Sequence, residues 1–347
     1  MLNRKNKILL MKFISLFSVV RGYNIPIIII AQYLSAIFII APEKRALSIL
    51  LDFDLFIIVF ASSLTIASGY IINNFYDSKK DLINRPNKSM LDRLVSQKTK
   101  LQVYFSLNFI VVFLAIFVSW RAFVYFSVYI FLIWYYSHRI KKYPFVGNLT
   151  SAFLSVLPFF AIFLYYKNLY EVIFGHAAFL FLLLMIREMI KDLENIKGDL
   201  ANDYKTIPII YGESVSKKII TILTVATIIP VYVLIEIFDV GYMDMYFYFC
   251  LIILIFFLLR LWKSNTKEQY LLLHNTLKFL IVAGVFSIIL INPSVLWHGE
   301  KLLRSIWFFR SIFLLSVSIF CAEHRHKRIF TTIRAKTLIQ KQSTTTQ

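Results

Sequence analysis

Two short runs of carboxylate and amide residues share one spacing, three residues and then four. Their members are Asn74, Asp77 and Asp81 in the first run, and Asp192, Asn195 and Asp199 in the second. Side chains three and four apart lie on one face of a helix, so each run predicts an oxygen-rich stripe. We call these runs the first stripe and the second stripe. Carboxylate and amide oxygens are ligands for hard divalent cations such as Mg²⁺, which keeps other positions for water and phosphate oxygens.

Basic residues interleave with both stripes. They are Lys79, Lys80, Arg85 and Lys88 around the first stripe, and Arg187, Lys191, Lys197 and Lys205 around the second. Together with the apolar segments on either side, this pattern indicates a magnesium-bridged diphosphate that carries an apolar tail, with cations stabilising the departing diphosphate. A single such run would be interpreted as a solvated loop, but two matched runs favour a site. We interpret Lys79 and Lys80 as solvated loop charges.

The elements that carry these stripes are predicted to be membrane helices. The chain has 347 residues, of which 59% are hydrophobic and 16% are charged, and its mean hydropathy is +0.70. This composition excludes a soluble enzyme, a disordered chain and a small disulfide scaffold, and it predicts an all-α protein with several spans. The nine apolar runs lie near 24–41, 53–72, 103–119, 122–137, 147–166, 172–186, 218–238, 243–261 and 275–293. A further run over 305–321 is either a tenth span or an interfacial helix.

The distribution of charge predicts how the helices are oriented. A net charge of +19 would suggest nucleic acid as the partner of a soluble chain, but here the positive-inside rule explains it and no nucleic acid is expected. Loops rich in Lys and Arg alternate with poor ones. This alternation predicts a cytoplasmic N-terminus and cytoplasmic loops at 76–100, 138–142, 187–218 and 260–278. We therefore expect a multi-pass protein of the cell inner membrane with its site loops in the cytoplasm.

Four motifs in order resemble the UbiA superfamily of intramembrane prenyltransferases, over roughly residues 20–293. The matching segments are Arg21-x-x-Asn24, Asn73-Asn74-x-x-Asp77-x-x-x-Asp81 with its continuation Ile83-Asn84-Arg85-Pro86-Asn87-Lys88, Tyr136-Ser137-x-x-x-Lys141 before Gly147-Asn148, and Asp192-x-x-Asn195-x-x-x-Asp199 with Lys205-Thr206-x-Pro208. The family usually has Asp at the positions of Asn74 and Asn195. Asn can still ligate through its carbonyl oxygen but adds no negative charge.

The resemblance implies a fold, a reaction and residue roles. The fold would be nine transmembrane helices around a central cavity, and the reaction would be capture of an allylic carbocation, formed from a prenyl diphosphate, by a lipophilic acceptor within the membrane. Mg²⁺ is the implied cofactor, held with the diphosphate by Asn73, Asn74, Asp77, Asp81, Asp192, Asn195 and Asp199, of which the four Asp residues would be catalytic. Diphosphate contacts would come from Arg85, Lys141, Lys191 and Lys205, and the cavity and acceptor residues would be Arg21, Asn24, Tyr136 and Glu188.

The acceptor and the ends of the chain leave alternatives. The segment Arg187-Glu188-x-x-Lys191-Asp192 with Gly198-Asp199 resembles the ether-lipid branch, which uses a geranylgeranylglyceryl phosphate acceptor, and also the aromatic homogentisate and chlorophyll branches. The alternatives are therefore an aromatic acceptor or, outside enzymes, a transporter. A transporter would place its intramembrane charges near the bilayer midplane rather than at one face. We predict an interfacial segment over 1–22, a prenyltransferase domain over 23–296, and an extra apolar helix with a basic tail over 297–347.

Overall fold

Helix is the only regular secondary structure among residues 4–296, the part of the chain that the structure, a computed structural model, describes. The α-helices of this part are α1 (Arg4–Val19), α2 (Ile25–Ser35), α3 (Ala46–Leu50), α4 (Phe53–Asn84), α5 (Pro86–Asp92), α6 (Gln97–Val118), α7 (Trp120–His138), α8 (Val146–Tyr166), α9 (Glu171–Glu194), α10 (Ile196–Leu200), α11 (Ile207–Ala226), α12 (Ile228–Tyr232), α13 (Asp244–Lys263) and α14 (Lys267–Ser287).

Shorter π and 3₁₀ segments extend some of these helices. The π segments are Ala36–Ile40 after α2 and Val233–Ile237 after α12, and the 3₁₀ turns are Ile140–Lys142, Gly241–Met243, Ile288–Leu290 and Pro293–Leu296. The chain up to Asn292 forms one compact unit, and the turn Pro293–Leu296 is the described part of a second. The predicted run over 305–321 lies outside the described residues.

Helices cover each of the nine apolar runs. Within residues 4–296, seven of them are long and apolar enough to cross a membrane: Phe53–Asn84, Gln97–Val118, Val146–Tyr166, Glu171–Glu194, Ile207–Ile237, Gly241–Lys263 and Lys267–Leu290. The other two are the shorter apolar helix Ile25–Ile40 and α7, which is rich in Tyr and Trp. The protein is therefore an all-helical, multi-pass membrane protein, and the count of nine spans stays a prediction.

The two stripes stand on the helices at the centre of the bundle. α4 packs against α2, α6, α7 and α8, whereas α9 packs against α8, α11 and α14. In α4, 67% of the apolar stretch is buried, compared with 17% in the peripheral α6. Three hydroxyl side chains of α4 bond to carbonyls of the same helix, as Ser63 does to Val59 at 2.8 Å, so they are satisfied without water. A rigid, central helix thus carries the first stripe.

The segments predicted as long loops are largely helical. α4 continues to Asn84, well beyond the apolar run that ends near residue 72, and α5 follows after the extended residue Arg85. Pro86 explains this break, because the residue before a proline is biased away from helical angles. The second stripe was predicted on one continuous helix, and this was wrong. α9 ends at Glu194 with Asn195 outside helical geometry (φ −109°, ψ 11°), and α10 then carries the last carboxylate of the stripe.

α1 contacts the rest of the protein through two serines on one side. Ser15 donates to the Leu91 carbonyl at 2.8 Å, and Ser18 donates to Asp92 at 2.8 Å. Phe13 and Phe17 are exposed on the opposite side. The interfacial position predicted for residues 1–22 stays a prediction.

Candidate active site

The ends of α4 and α9 that carry the stripes border one polar pocket with an empty volume of about 710 Å³. Most of the residues predicted for the site line it: Arg21, Asn73, Asp77, Asp81, Arg85, Tyr136, Lys141, Glu188, Lys191, Asp192 and Asn195. Their side chains come from the α1–α2 connection, from α4 and the residue after it, from α7, from the α7–α8 connection, and from α9 and the residue after it. The pocket therefore contains residues of both stripes, which are more than a hundred positions apart in the sequence.

The first stripe is tied to two later segments through Asp77. This buried carboxylate accepts hydrogen bonds from Lys141 and Tyr204, both at 2.6 Å, and Lys141 also donates to Asn73 at 3.0 Å. Burial lowers the pKa of the Lys141 ammonium, while the charge of Asp77 opposes this shift. Burial and the neighbouring Asp77 raise the pKa of the Tyr204 phenol, which stays protonated as a donor. Asp81 lies one helical turn further and lines the same pocket.

The second stripe presents three oxygen-bearing side chains. Asp192 accepts a hydrogen bond from Asn148 at 2.7 Å. Asn195 donates to the Lys191 carbonyl at 2.7 Å, and its own carbonyl oxygen is buried without a hydrogen-bond partner. Asp199 is completely buried, is ion-paired with Lys80, and its Oδ2 accepts no hydrogen bond. Burial raises the pKa of the Asp199 carboxyl, and the Lys80 ammonium opposes this shift.

These donors fit a hard divalent cation. A buried amide oxygen and a buried carboxylate oxygen without hydrogen-bond donors are free to ligate, and both are oxygen ligands of the kind that Mg²⁺ takes. Among the described residues, no three acidic, His or Cys side chains converge closely enough to form a complete protein cage. Mg²⁺ does not require one, since it is usually held by one or two carboxylates plus water and phosphate oxygens.

Carboxylates of α9 hold the cations in and beside the pocket, two of these cations from α9 itself and one from the end of α4. Lys191 donates to Glu188 at 2.7 Å, and Arg187 reaches the other oxygen of Glu188 at 3.0 Å. Arg85 donates to Glu194 at 3.0 Å. Glu188, predicted as a cavity and acceptor residue, forms ion pairs with both Lys191 and Arg187.

The environment of Lys80 differs from the one predicted from the sequence. We predicted a solvated loop charge, but its side chain is 15% exposed, pairs with Asp199 and lies 4.2 Å from the centroid of the Tyr204 ring. The reason is that α10 folds back against the end of α4. Gly198 donates from its backbone to Asn84 at 3.1 Å, and a Cβ at this position would overlap the Asn84 side chain. Lys79, by contrast, is exposed as predicted.

Asn74 does not line the pocket, contrary to its predicted role as a metal ligand. Its amide donates to Asp92 at 3.0 Å and accepts from the buried Lys100 at 2.8 Å. Asp92 also receives a hydrogen bond from Lys88 at 2.9 Å. Asn74 therefore belongs to a polar network that joins α4 to α5 and α6, behind the first stripe.

Three other predicted residues are also not among those that line the pocket, and the completely buried Asp199 is one of them. Lys205, predicted to contact diphosphate, is exposed, and the hydrogen bond that places it runs from its backbone to the Lys142 carbonyl at 2.9 Å. Asn24, predicted as a cavity residue, reaches the Tyr70 hydroxyl at 3.5 Å. Neither residue is among those that line the pocket.

Replacing Asn74 or Asn195 by aspartate should therefore have different effects on the Mg²⁺ requirement. Asn195→Asp adds a negative charge where an amide oxygen is free, and because affinity for a divalent cation depends on ligand charge, we expect the half-saturating Mg²⁺ concentration to fall about threefold to tenfold. Asn74→Asp should leave this concentration unchanged, because its side chain pairs with Asp92 and Lys100. Mg²⁺ titration of prenyl transfer in the two single variants checks this. A lower requirement in Asn74→Asp would return that residue to the metal site.

Several pocket residues were not predicted as functional. They are Lys80, Asn84, Tyr143, Gly147, Asn148, Tyr204 and Thr206. Asn148 belongs to the segment Gly147-Asn148, which resembles a family motif, so the sequence already indicated that it could be functional. Tyr204 lies in a connection without a motif, and only the fold brings it to Asp77.

The family model described as the UbiA prenyltransferase family matches residues 29–281. The chain belongs to this family. One relative of this UbiA-family protein is the digeranylgeranylglyceryl phosphate synthase of Thermococcus sibiricus, which is 34% identical over 180 residues. This alignment covers 50% of the present chain and 61% of the relative, so the chain spans less than two thirds of that protein's length.

Solved structures share the fold of this UbiA-family protein. A structure reported for a digeranylgeranylglyceryl phosphate synthase matches with a TM-score of 0.62 at 21% identity and covers 80% of this chain and 97% of that one. A UbiA homologue from Archaeoglobus fulgidus, bound to DMAPP and Mg²⁺, matches with a TM-score of 0.59 at 16% identity, covering 79% and 99% of the two chains. At these identities the likeness concerns the fold.

Proposed function

We propose that the protein transfers a prenyl group, in a Mg²⁺-dependent reaction, from an allylic prenyl diphosphate to the hydroxyl of a glycerol-phosphate lipid. The observation that carries the proposal is one pocket, at one end of central membrane helices, in which carboxylates of two stripes alternate with lysines. Asp77 and Lys141 pair with each other in its wall, and Lys80, a third lining residue, pairs with the buried Asp199 behind it. Mg²⁺ in the homologue bound to DMAPP supports the metal.

In this proposal Mg²⁺ is held by Asp77, Asp81, Asp192 and Asp199, helped by Asn73 and Asn195. When bound, it supplies positive charge to the diphosphate oxygens. Lys141, Lys191 and Arg85 add charge-assisted hydrogen bonds to the same oxygens. The carbon–oxygen bond of the donor breaks with its electron pair going to the diphosphate, and the Tyr136 ring faces the allylic cation. The acceptor oxygen then bonds to the allylic carbon, and its proton passes to the departing diphosphate.

A second, apolar cavity offers room for a hydrocarbon tail. α8 and α9, which also line the polar pocket, contribute to its wall. Phe159, Phe160, Phe163, Phe179 and Leu183 are among its lining residues. An apolar cavity on helices that also carry a polar pocket fits a substrate with a charged head and an apolar chain. We propose that the prenyl tail occupies it.

The relatives favour a lipid acceptor over an aromatic one. The name of the Thermococcus sibiricus relative specifies a glyceryl phosphate product, and this agrees with the sequence pattern around Lys191 and Asp192. An aromatic acceptor would use the same donor site, so it remains the second candidate. A transporter is disfavoured because the charged groups gather at one end of the helices rather than at their middle.

We also propose nine spans around a central cavity, a domain over 23–296, and cytoplasmic stripes in the cell inner membrane. The basic residues at 76–100, 138–142 and 187–218 support this orientation by the positive-inside rule. Segment 297–347 is left without a role.

The acceptor class is decided by a competition assay. Purified full-length protein in nanodiscs receives labelled geranylgeranyl diphosphate, Mg²⁺ and equal amounts of geranylgeranylglyceryl phosphate and an aromatic acid such as 4-hydroxybenzoate or homogentisate. We expect labelled product from the glycerol-phosphate lipid alone, because the name of the Thermococcus sibiricus relative specifies a glyceryl phosphate product. Product from the aromatic acid alone would replace the proposed acceptor by the second candidate, and the Asp192→Asn variant serves as the inactive control.

A further inference from the structure

Two hydrogen-bond donors in the wall of the polar pocket are buried and unpaired. Asn84 is 5% exposed and Thr206 is 4% exposed, and both residues line the pocket. Among the residues that the structure describes, neither the side-chain nitrogen of Asn84 nor the hydroxyl of Thr206 has a hydrogen-bond partner. We call these two groups the neutral donors. A buried donor without an acceptor costs free energy, so two of them in one pocket indicate an acceptor group that enters it.

The other contacts of Asn84 fix the orientation of its amide. Its Oδ1 accepts a hydrogen bond from the backbone N–H of Gly198 at 3.1 Å, so its Nδ2 is the donor end. Its backbone carbonyl, at the end of α4, accepts from the Lys267 ammonium at 2.5 Å. Gly198 approaches so closely that a Cβ there would overlap the Asn84 side chain. The unpaired N–H groups of Asn84 are therefore held in place before any ligand binds.

Thr206 has the position of a helix cap but does not make the cap bond. It directly precedes α11, where the hydroxyl of a threonine usually accepts from a backbone N–H of the first turn. Pro208 has no N–H, and the N–H of Ile209 donates to the Thr206 carbonyl at 3.1 Å instead. Helix capping therefore does not account for this hydroxyl.

Direct hydrogen bonds join the neutral donors to the segments that carry the stripes. The first donor is held by Gly198, which immediately precedes Asp199 of the second stripe. Two residues before Thr206, Tyr204 donates from its backbone to the Asp199 carbonyl at 3.0 Å. The Tyr204 hydroxyl donates to Asp77 of the first stripe at 2.6 Å. The contacts that connect the two stripes therefore also position the neutral donors.

The unpaired groups in and behind the pocket are of two kinds. Asn195 and Asp199 have unpaired acceptor oxygens, which suit a divalent cation. Asn84 and Thr206 have unpaired donors, which suit an anion. The two kinds together match the two parts of a magnesium diphosphate, one a cation and the other an anion with many acceptor oxygens.

We propose that the Asn84 amide and the Thr206 hydroxyl donate hydrogen bonds to oxygens of the prenyl diphosphate. The proposal deepens the proposed function and rests on its prenyl diphosphate substrate, not on the identity of the acceptor. When the carbon–oxygen bond breaks, its electron pair passes to the diphosphate, and donors that are already in place stabilise the added charge without reorganisation. Because both groups are neutral, they stabilise the anion without the repulsion of Mg²⁺ that further cations would bring.

Binding of inorganic pyrophosphate to full-length protein in nanodiscs, at saturating Mg²⁺, tests the proposal. Thr206→Val removes the hydroxyl and keeps the shape of the side chain. We expect it to raise the Kd of pyrophosphate and the KM for geranylgeranyl diphosphate about 10- to 100-fold, as for loss of a hydrogen bond to a charged group, and to leave the KM for the acceptor unchanged. Without pyrophosphate its melting temperature should equal or exceed that of wild type, because an unpaired buried hydroxyl is replaced by an apolar group. Thr206→Ser retains the hydroxyl and should bind pyrophosphate like wild type.

Asn84→Asp tests the second donor. It keeps the oxygen that accepts from Gly198 and replaces the donor by a charged oxygen, so it should weaken pyrophosphate binding at least as much as Thr206→Val. Thr224→Val and Asn87→Asp are the matched controls. Thr224 is also 4% exposed and lies in α11, but its hydroxyl donates to the Ile220 carbonyl at 2.8 Å. Asn87 is exposed, and neither control residue lines the pocket, so both variants should bind pyrophosphate like wild type.

The possible outcomes separate this proposal from its alternatives. Unchanged pyrophosphate affinity in both Thr206→Val and Asn84→Asp overturns it, and water then satisfies the two donors. A rise confined to the KM for geranylgeranylglyceryl phosphate also overturns it, because the bound phosphate would be that of the acceptor. A lower melting temperature or failure to fold in Thr206→Val makes the hydroxyl structural and overturns its part in the proposal. If wild type modifies only an aromatic acid, the proposed acceptor is wrong, whereas weaker pyrophosphate binding in the variants still supports the neutral donors.

Discussion

Removal of divalent cations with EDTA should abolish prenyl transfer by this protein. The lysines nearest the stripes do not supply spare positive charge, because Lys141 is paired with Asp77 and Lys80 with Asp199. In each of these pairs the lysine neutralises one carboxylate, so neither pair offers a diphosphate any net positive charge. A divalent cation held by the free oxygens of Asn195 and Asp199 supplies the surplus charge that stabilises the departing diphosphate.

The measurement uses full-length protein in nanodiscs, labelled geranylgeranyl diphosphate and a saturating glycerol-phosphate lipid. Transfer should fall to the background rate in EDTA and return on addition of excess Mg²⁺ or Mn²⁺. EDTA that has been saturated with Mg²⁺ beforehand is the control for effects of the chelator on the nanodisc. Undiminished transfer in free EDTA would remove the metal from the reaction and leave the stripes as a purely structural charge network.

The spacing of each stripe predicted where the chemistry lies, because a helical face depends only on local geometry. It did not predict which oxygens face the pocket. Asn74 shares the face of Asp77 by spacing, yet Asp92 and Lys100, which lie 18 and 26 residues further along, take both ends of its amide. Tertiary partners decide such choices, and a periodic pattern contains no information about them.

Burial of charged residues was the other feature that the sequence did not predict. Lys80 stands among polar residues next to a predicted loop, where a lysine is normally solvated. It becomes buried because α4 continues through this segment and α10 lies against it. The nine apolar runs were easier to predict, since twenty or so apolar residues in sequence are enough to specify a membrane helix.

The largest effect of a single substitution is expected for Asp192→Asn, which should lower kcat by about 10²- to 10³-fold, as loss of other electrostatic groups in active sites does. Asp192 is the carboxylate of the second stripe that lines the pocket, and among residues 4–296 no lysine forms an ion pair with it. Asparagine keeps the shape of the side chain and an oxygen that can accept from Asn148. The variant thus removes one negative charge and little else.

Single-turnover rates at saturating prenyl diphosphate and Mg²⁺ measure this loss, because they separate the chemical step from product release. Asp203→Asn is the matched control. Asp203 is exposed, has a positive φ of 56° that asparagine tolerates well, and lies outside the pocket, so its rate should equal that of wild type. If Asp192→Asn also retained a near-normal rate, the second stripe would act through Asn195 and Asp199 alone. Excess Mg²⁺ can compensate for weaker metal binding, but it cannot replace a charge that is missing in the transition state. A single-turnover rate that stays low at saturating Mg²⁺ therefore assigns Asp192 to the chemical step itself.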